Sequence, residues 1–254
     1  MLILCYGMPK SGSTLAFELV RGMLRNAGFE QETFINDKRD STDINATGPG
    51  IRNFANNLTR EKLGAMMAAI GTERKIAVKT HAAMPGGSFC WLEEEQCASR
   101  LQVVASYRDP REMCLSLLDA SARARKKGNF TFGGKSDLQQ VAQSVERRIR
   151  DFREWGALKG TLRLDYDTAA FLPHDAMERI EAKLGIAADR AAVKNYVFNE
   201  AFTQKNKARQ GRYRELSAAD NAELLARFDE FIRRVCGLDD QGWFDECRAG
   251  LLGA

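Results

Sequence analysis

The residues best suited to chemistry come early in the chain, where the apolar run Leu2–Tyr6 enters Gly7-Met-Pro-Lys-Ser-Gly-Ser-Thr14. A strand feeding a glycine turn and then a helix start gathers backbone N–H groups and the positive helix end around an anion. Gly7, Gly12 and Thr14 keep the spacing of the nucleotide phosphate loop G-x-x-x-x-G-K-[ST], but Ser13 stands at the lysine position. The lysine lies three residues earlier, at Lys10. In triphosphatases the lysine after the second glycine reaches the β- and γ-phosphates, while Ser/Thr holds magnesium. An ammonium inside the loop sits beside a shorter anion. A magnesium enzyme also wants an acid at a neighbouring strand end. Leu101–Tyr107 ends in Arg108 and Asp109, so Asp109 is a candidate acid, while Arg108 points to a second anion. Of the two histidines, His81 ends an apolar strand beside Lys79, at the edge where α/β sheets place their sites; His174, after Pro173 at a helix start, reads as structural.

These residues resemble, in kind and order, those of the sulfotransferases that use 3′-phosphoadenosine-5′-phosphosulfate (PAPS). Pro9-Lys-Ser-Gly-Ser-Thr14 is similar to the family's P-K-S-G-[ST]-T loop. Arg108 and Ser116, eight residues apart, match its 3′-phosphate pair, and Lys79-Thr-His81 matches its K-T-H. Asn206-Lys-Ala-Arg-Gln-Gly-Arg-Tyr-Arg214 resembles its C-terminal basic loop, with Ala208 for the family's Gly and Tyr213 for its Trp. The family's Y-E-D appears as Leu164-Asp-Tyr-Asp167 with ambiguous register, and K-T-H lacks the Leu-Pro of the longer animal enzymes, so the chain looks more like a bacterial member.

The resemblance implies roles for each motif. Lys10 would stabilise the leaving oxygen of sulfuryl transfer, and Lys79 would contact the sulfuryl oxygens. The N–H groups of Ser11, Gly12, Ser13 and Thr14, with the Ser13 and Thr14 hydroxyls, would hold the 5′-phosphate. Arg108 and Ser116 would bind the 3′-phosphate, with Lys207 and Arg209 closing over it. A hydroxyl acceptor needs a base near neutral pKa, which is His81 or a carboxylate among Asp37, Asp40 and Asp43. PAPS is then the co-substrate, adenosine 3′,5′-bisphosphate (PAP) the product, and no metal is expected. The acceptor is a small-molecule or glycan hydroxyl. Asn36, Asp37, Asn45, Arg52 and Asn53, with Phe34, Phe54, Phe130 and Phe132 interspersed, lean toward a carbohydrate or other polar alcohol.

The elements that position these groups alternate. Leu2–Tyr6, Lys75–Lys79, Leu101–Tyr107 and Thr161–Leu164 read as strands. Ser13–Ala27 reads as a helix, as does the stretch carrying Leu138, Val141, Val145, Ile149 and Phe152. Ser217 with Asp220 caps a helix expected to run through Leu224, Phe228, Phe231 and Val235. Such alternation predicts one α/β domain over 1–254, three-layered, with a mostly parallel sheet flanked by helices; the resemblance makes it the P-loop sulfotransferase fold. Residues 30–57 and 126–137 read as long loops.

At 254 residues, 44% hydrophobic and 28% charged, the chain is an ordinary globular sequence. It has no apolar run near ~18 residues and no signal peptide, which predicts a cytoplasmic protein without a membrane span. Net charge is +4, too mild to argue for nucleic acid; the basic clusters Arg123–Lys127, Arg147–Arg153 and Lys205–Arg214 read as solvated faces. The six cysteines show no C-x-x-C and read as reduced and buried. A P-loop kinase or nucleotide phosphotransferase is the alternative enzyme. A non-catalytic anion- or nucleic-acid-binding module, and a sulfotransferase-like protein that binds nucleotide without transfer, are the other readings. Oligomeric state has no mark in the sequence.

Overall fold

Strand β1 (Leu2–Gly7) is buried along its whole length, as a central parallel strand covered on both faces must be. The computed structural model describes residues 1–32, 53–126, 128, 137–203, 208–237 and 241–253. Its elements continue with α1 (Ser13–Asn26), β2 (Phe54–Ala55), α2 (Arg60–Ile70), β3 (Ile76–Thr80), α3 (Phe89–Cys97), β4 (Leu101–Tyr107), α4 (Pro110–Lys126) and α5 (Leu138–Ala157). They end with β5 (Leu162–Asp165), α6 (Tyr166–Phe171), α7 (Pro173–Leu184), α8 (Arg190–Asn195), a π-helical turn at Tyr196–Glu200, a 3-10 turn at Arg212–Glu215, α9 (Ala218–Arg227), α10 (Asp229–Arg234) and α11 (Gln241–Leu252).

The described strands form one sheet in the order β2-β3-β1-β4-β5, every pair parallel. Because side chains alternate across a strand, β1 serves two cores. Leu2, Leu4 and Tyr6 pack with Val78, Val103 and the apolar faces of α4, α5 and α11. Ile3 and Cys5 pack on the opposite face with Phe17 and Leu19 of α1 and Met177 and Ile180 of α7. The result is the helix–sheet–helix α/β layering expected from the sequence.

Register brings the carboxyl ends of the strands level. Tyr6 pairs with Thr80, Gly7 with Ser106, and Tyr107 with Asp165. The residues just past those ends therefore meet at one edge of the sheet: the 8–14 loop, His81, Arg108 and Tyr166. This is the edge at which open α/β sheets bind ligands.

Three expectations are corrected. The helix opened by Ser217, whose Oγ accepts from the Asp220 N–H at 3.1 Å, stops at Arg227 and resumes at Asp229, with Phe228 at φ −110. Leu224, Phe228, Phe231 and Val235 are all buried, and their steps of three and four residues stay helical across the break, so the pattern carries no mark of it. The 30–57 segment is not all loop, for Phe54 and Ala55 pair with Lys79 and Thr80 as an edge strand. Cysteines are free, but only Cys5 and Cys114 are buried; Cys90 and Cys97 lie on the outer face of α3, and Cys236 is exposed. No helix among the described residues is long and apolar enough to cross a membrane.

Candidate active site

The 8–14 loop needs its glycines for contact as well as conformation. A Cβ on Gly7 would lie 2.3 Å from both Ser106 Oγ and Ser13 Cβ, so β1, β4 and α1 meet there without room for a side chain. Gly12 sits at φ +80, and a Cβ there would come within 2.4 Å of the Tyr166 ring. Lys10 is left-handed at φ 71 without being glycine, a strain of order 1–3 kcal/mol that the surrounding loop must hold.

Ser11 is fully buried and braces this turn from inside. Its N–H donates to the Met8 carbonyl at 3.1 Å. Its hydroxyl, with one proton to share, lies 2.7 Å from Met8 O, 3.1 Å from Ser106 O and 3.2 Å from Ser106 Oγ. The N–H groups that could hold an anion are those that follow. Helix α1 has no side-chain cap at Gly12 and no acidic residue in its first turn. Its first N–H groups have no acceptor within the helix, and its dipole favours negative charge there.

Strand β3 delivers two further groups. Lys79 is 1% exposed, and its Nζ donates to Thr14 Oγ1 at 2.6 Å. His81 Nδ1 donates to the Gly7 carbonyl, so in the neutral ring Nε2 is the nitrogen without a proton. The imidazole and the Phe54 ring make a T-shaped contact, 5.5 Å between centroids. Burial, and then the charge of Arg123, lowers the pKa of Lys10 from that of an ordinary lysine.

At the end of β4, Arg108 is buried and held on several sides. Nε and Nη2 donate to Glu112 Oε2 at 2.9 and 2.5 Å, Nη2 also reaches the Arg209 carbonyl at 3.3 Å, and the guanidinium stacks 4.0 Å over the Tyr166 ring. Asp109 is engaged by Arg111, through the backbone N–H at 2.9 Å and Nη2 at 2.6 Å, which occupies the carboxylate that a magnesium enzyme would use.

A cavity of about 260 Å³ gathers Lys10, Gly12, Ser13, Thr14, Arg108 and Ser116, with Ala208 from the C-terminal basic segment. Tyr166, Phe171, Phe198 and Thr203 complete much of its wall. Ser11, Lys79, His81 and Arg209 are not in that wall; Lys79 stands behind Thr14 and His81 behind Gly7. Lys207, Asp37, Asp40 and Asp43 lie outside the described residues. Asn53, counted above among polar acceptor-binding residues, is wholly buried and its amide donates to the Glu32 carbonyl at 2.8 Å. Sequence reasoning missed Tyr166 and Glu112. The signal for Glu112 was its i,i+4 spacing from Arg108; for Tyr166 it was a tyrosine immediately after a strand.

No family model matches the chain, and no curated protein matches it in sequence. Solved structures do. Mouse sulfotransferase SULT7A1 complexed with PAP superposes with a TM-score of 0.57 at 13% identity, covering 100% of this chain and 88% of that one. Retinol dehydratase in complex with retinol and PAP gives a TM-score of 0.52 at 16% identity, covering 91% of this chain and 81% of that one. The same dehydratase with androsterone and PAP matches equally, at 0.52 and 16%. With its parallel sheet, its glycine loop after β1 and its arginine after β4, the chain has the sulfotransferase fold.

Proposed function

We propose that this protein is a PAPS-dependent sulfotransferase that moves a sulfuryl group to a hydroxyl acceptor. One observation carries the reading: a single cavity is lined both by the donors that open α1 and by Arg108 with Ser116. Two anion sites in one cavity suit a nucleotide phosphorylated at both the 5′ and 3′ positions. PAP in the similar sulfotransferase structures has that chemistry.

In this scheme the α1 N–H groups and the Ser13 and Thr14 hydroxyls hold the 5′-phosphate, and Lys10 neutralises charge developing on the bridging oxygen. The acceptor oxygen bonds to sulfur as the bond from sulfur to the phosphate oxygen breaks. His81, with its lone pair on Nε2, accepts the acceptor's proton, and PAP departs. Lys79 acts through Thr14, which it holds by its short hydrogen bond. The polar composition of 36–52 supports a carbohydrate or other polar alcohol as acceptor.

Calorimetric titration with PAP, AMP and ATP plus magnesium tests the reading. Binding of PAP in clear preference to the other two is expected. Preference for ATP with magnesium would transfer the protein to the kinases, and no binding by any of the three would remove the nucleotide site altogether.

A further inference from the structure

Glu112 takes no part in the steps above, yet its carboxylate is 3% exposed and fully committed. Oε2 accepts both bonds from Arg108, at 2.9 and 2.5 Å, and Oε1 accepts the backbone N–H of Arg212 at 2.7 Å. A buried carboxylate beside a phosphate site repels the phosphate, so a site built for charge alone would omit it. Its geometry supplies what charge does not. With Nε and Nη2 bound to Glu112 and the ring of Tyr166 stacked at 4.0 Å, the Arg108 plane cannot swing. The basic segment is clamped to the same wall twice, by the Arg212 N–H on Glu112 and by the Arg209 carbonyl on Arg108 Nη2 at 3.3 Å. Ala208, next to Arg209, thereby stays in the cavity wall.

We propose that Glu112 is the positioning residue that gives the cavity its preference for a 3′-phosphorylated nucleotide, an inference that rests on the nucleotide reading above. It fixes the Arg108 guanidinium before ligand arrives, with Nε and Nη2 engaged and Nη1 left as the donor, and holds the basic segment to it, so that less ordering accompanies binding. The orientation gained outweighs the like-charge repulsion, because a rigid planar donor suits a phosphate and a rotating one does not.

The test is calorimetric titration of the wild type, Glu112→Gln, Arg108→Ala and the double variant with PAP and, separately, AMP. Glu112→Gln is expected to weaken PAP binding by on the order of tenfold or more, the scale of one charge-assisted hydrogen bond, and to leave AMP within about twofold. In the Arg108→Ala background the same change is expected to add nothing beyond about twofold, since Glu112 acts through Arg108. Unchanged or tighter PAP binding by Glu112→Gln overturns the proposal in favour of a plain counter-charge, and equal loss of both nucleotides overturns it in favour of fold support. If that variant does not fold, Glu112→Asp keeps the charge but falls one methylene short of spanning Arg108 and Arg212. The same selective loss is expected of it, and full retention of PAP binding overturns the proposal. Failure of the nucleotide reading is separate: the wild type itself would then show no preference for PAP over AMP, and the inference would fall with it.

Discussion

Lys79 Nζ donates to Thr14 Oγ1 at 2.6 Å, tying the end of β3 to the first turn of α1 through a side chain that is 1% exposed. A buried ammonium is stable only while its hydrogen-bond acceptors stay in place. Thr14→Val keeps the shape of the side chain and removes this acceptor. It should cost about 2 kcal/mol, the worth of a hydrogen bond to a charged group, and lower Tm by roughly 4–8 °C. Thr14→Ser restores the hydroxyl and should melt near the wild type. Thermal melts of the two variants check this, and a Thr14→Val protein as stable as the wild type would contradict it.

Gly12 couples loop conformation to the Arg108 stack. Gly12→Ala places a methyl at φ +80, a strain of roughly 1 kcal/mol, and drives it into the Tyr166 ring that lies against Arg108. The variant should lose both stability and PAP affinity. Gly12→Ala combined with Tyr166→Ala relieves the overlap, so Tm should partly recover while PAP affinity does not. Recovery of both together would mean that the ring contributes only bulk.

Lys10 sets opposite pH trends for stability and binding. Burial, with Arg123 second, lowers its pKa from the ordinary 10.5, so above the lowered value the folded protein holds fewer protons than the unfolded chain. Stability of the ligand-free protein therefore gains from this group as pH rises through that window. In the proposed scheme the nucleotide is held by the ammonium, so PAP affinity should fall across the same window, beginning below the usual lysine range. Lys10→Arg stays charged there and should remove the fall. Calorimetry and denaturant unfolding on the alkaline side of neutrality check both signs.

Much of this site was legible because its backbone dictates side-chain type. Gly7 and Gly12 mark where strand, helix and ring meet with no room for a Cβ, and Lys10 between them departs visibly from the nucleotide phosphate loop. Strand β4 was read with both ends correct, since Arg108, Asp109 and Pro110 interrupt its apolar run and Pro110 opens α4. Tyr166 was not legible in the same way. Its value comes from packing over Gly12 and Arg108, two segments far from it in the chain, and only the closed sheet edge brings them together. Ser11 shows a related limit: membership of the loop motif says nothing about which way a hydroxyl turns, and here it turns inward. The break at Phe228 left no trace because the residues on both sides serve one buried face.

In the proposed scheme His81 serves chemistry and not nucleotide binding, and that separation is measurable. Its Nδ1 is committed to the Gly7 carbonyl, so the ring reports on the phosphate loop through one nitrogen and carries the lone pair on the other. Replacing it should spare the cavity, because His81 is not in its wall. His81→Ala is therefore expected to keep PAP affinity within about threefold while sulfuryl transfer falls by about 10²–10⁴, the range for loss of a general base. Arg108→Ala should show the reverse emphasis, weakening PAP far more than AMP. A His81→Ala protein that transfers sulfuryl groups at the wild-type rate would move the base elsewhere, with Asp37, Asp40 and Asp43 the next residues to replace. His81→Asn, which can still donate to the Gly7 carbonyl but supplies no base, separates the two duties of the ring. It should bind PAP as the wild type does and turn over no faster than the alanine variant.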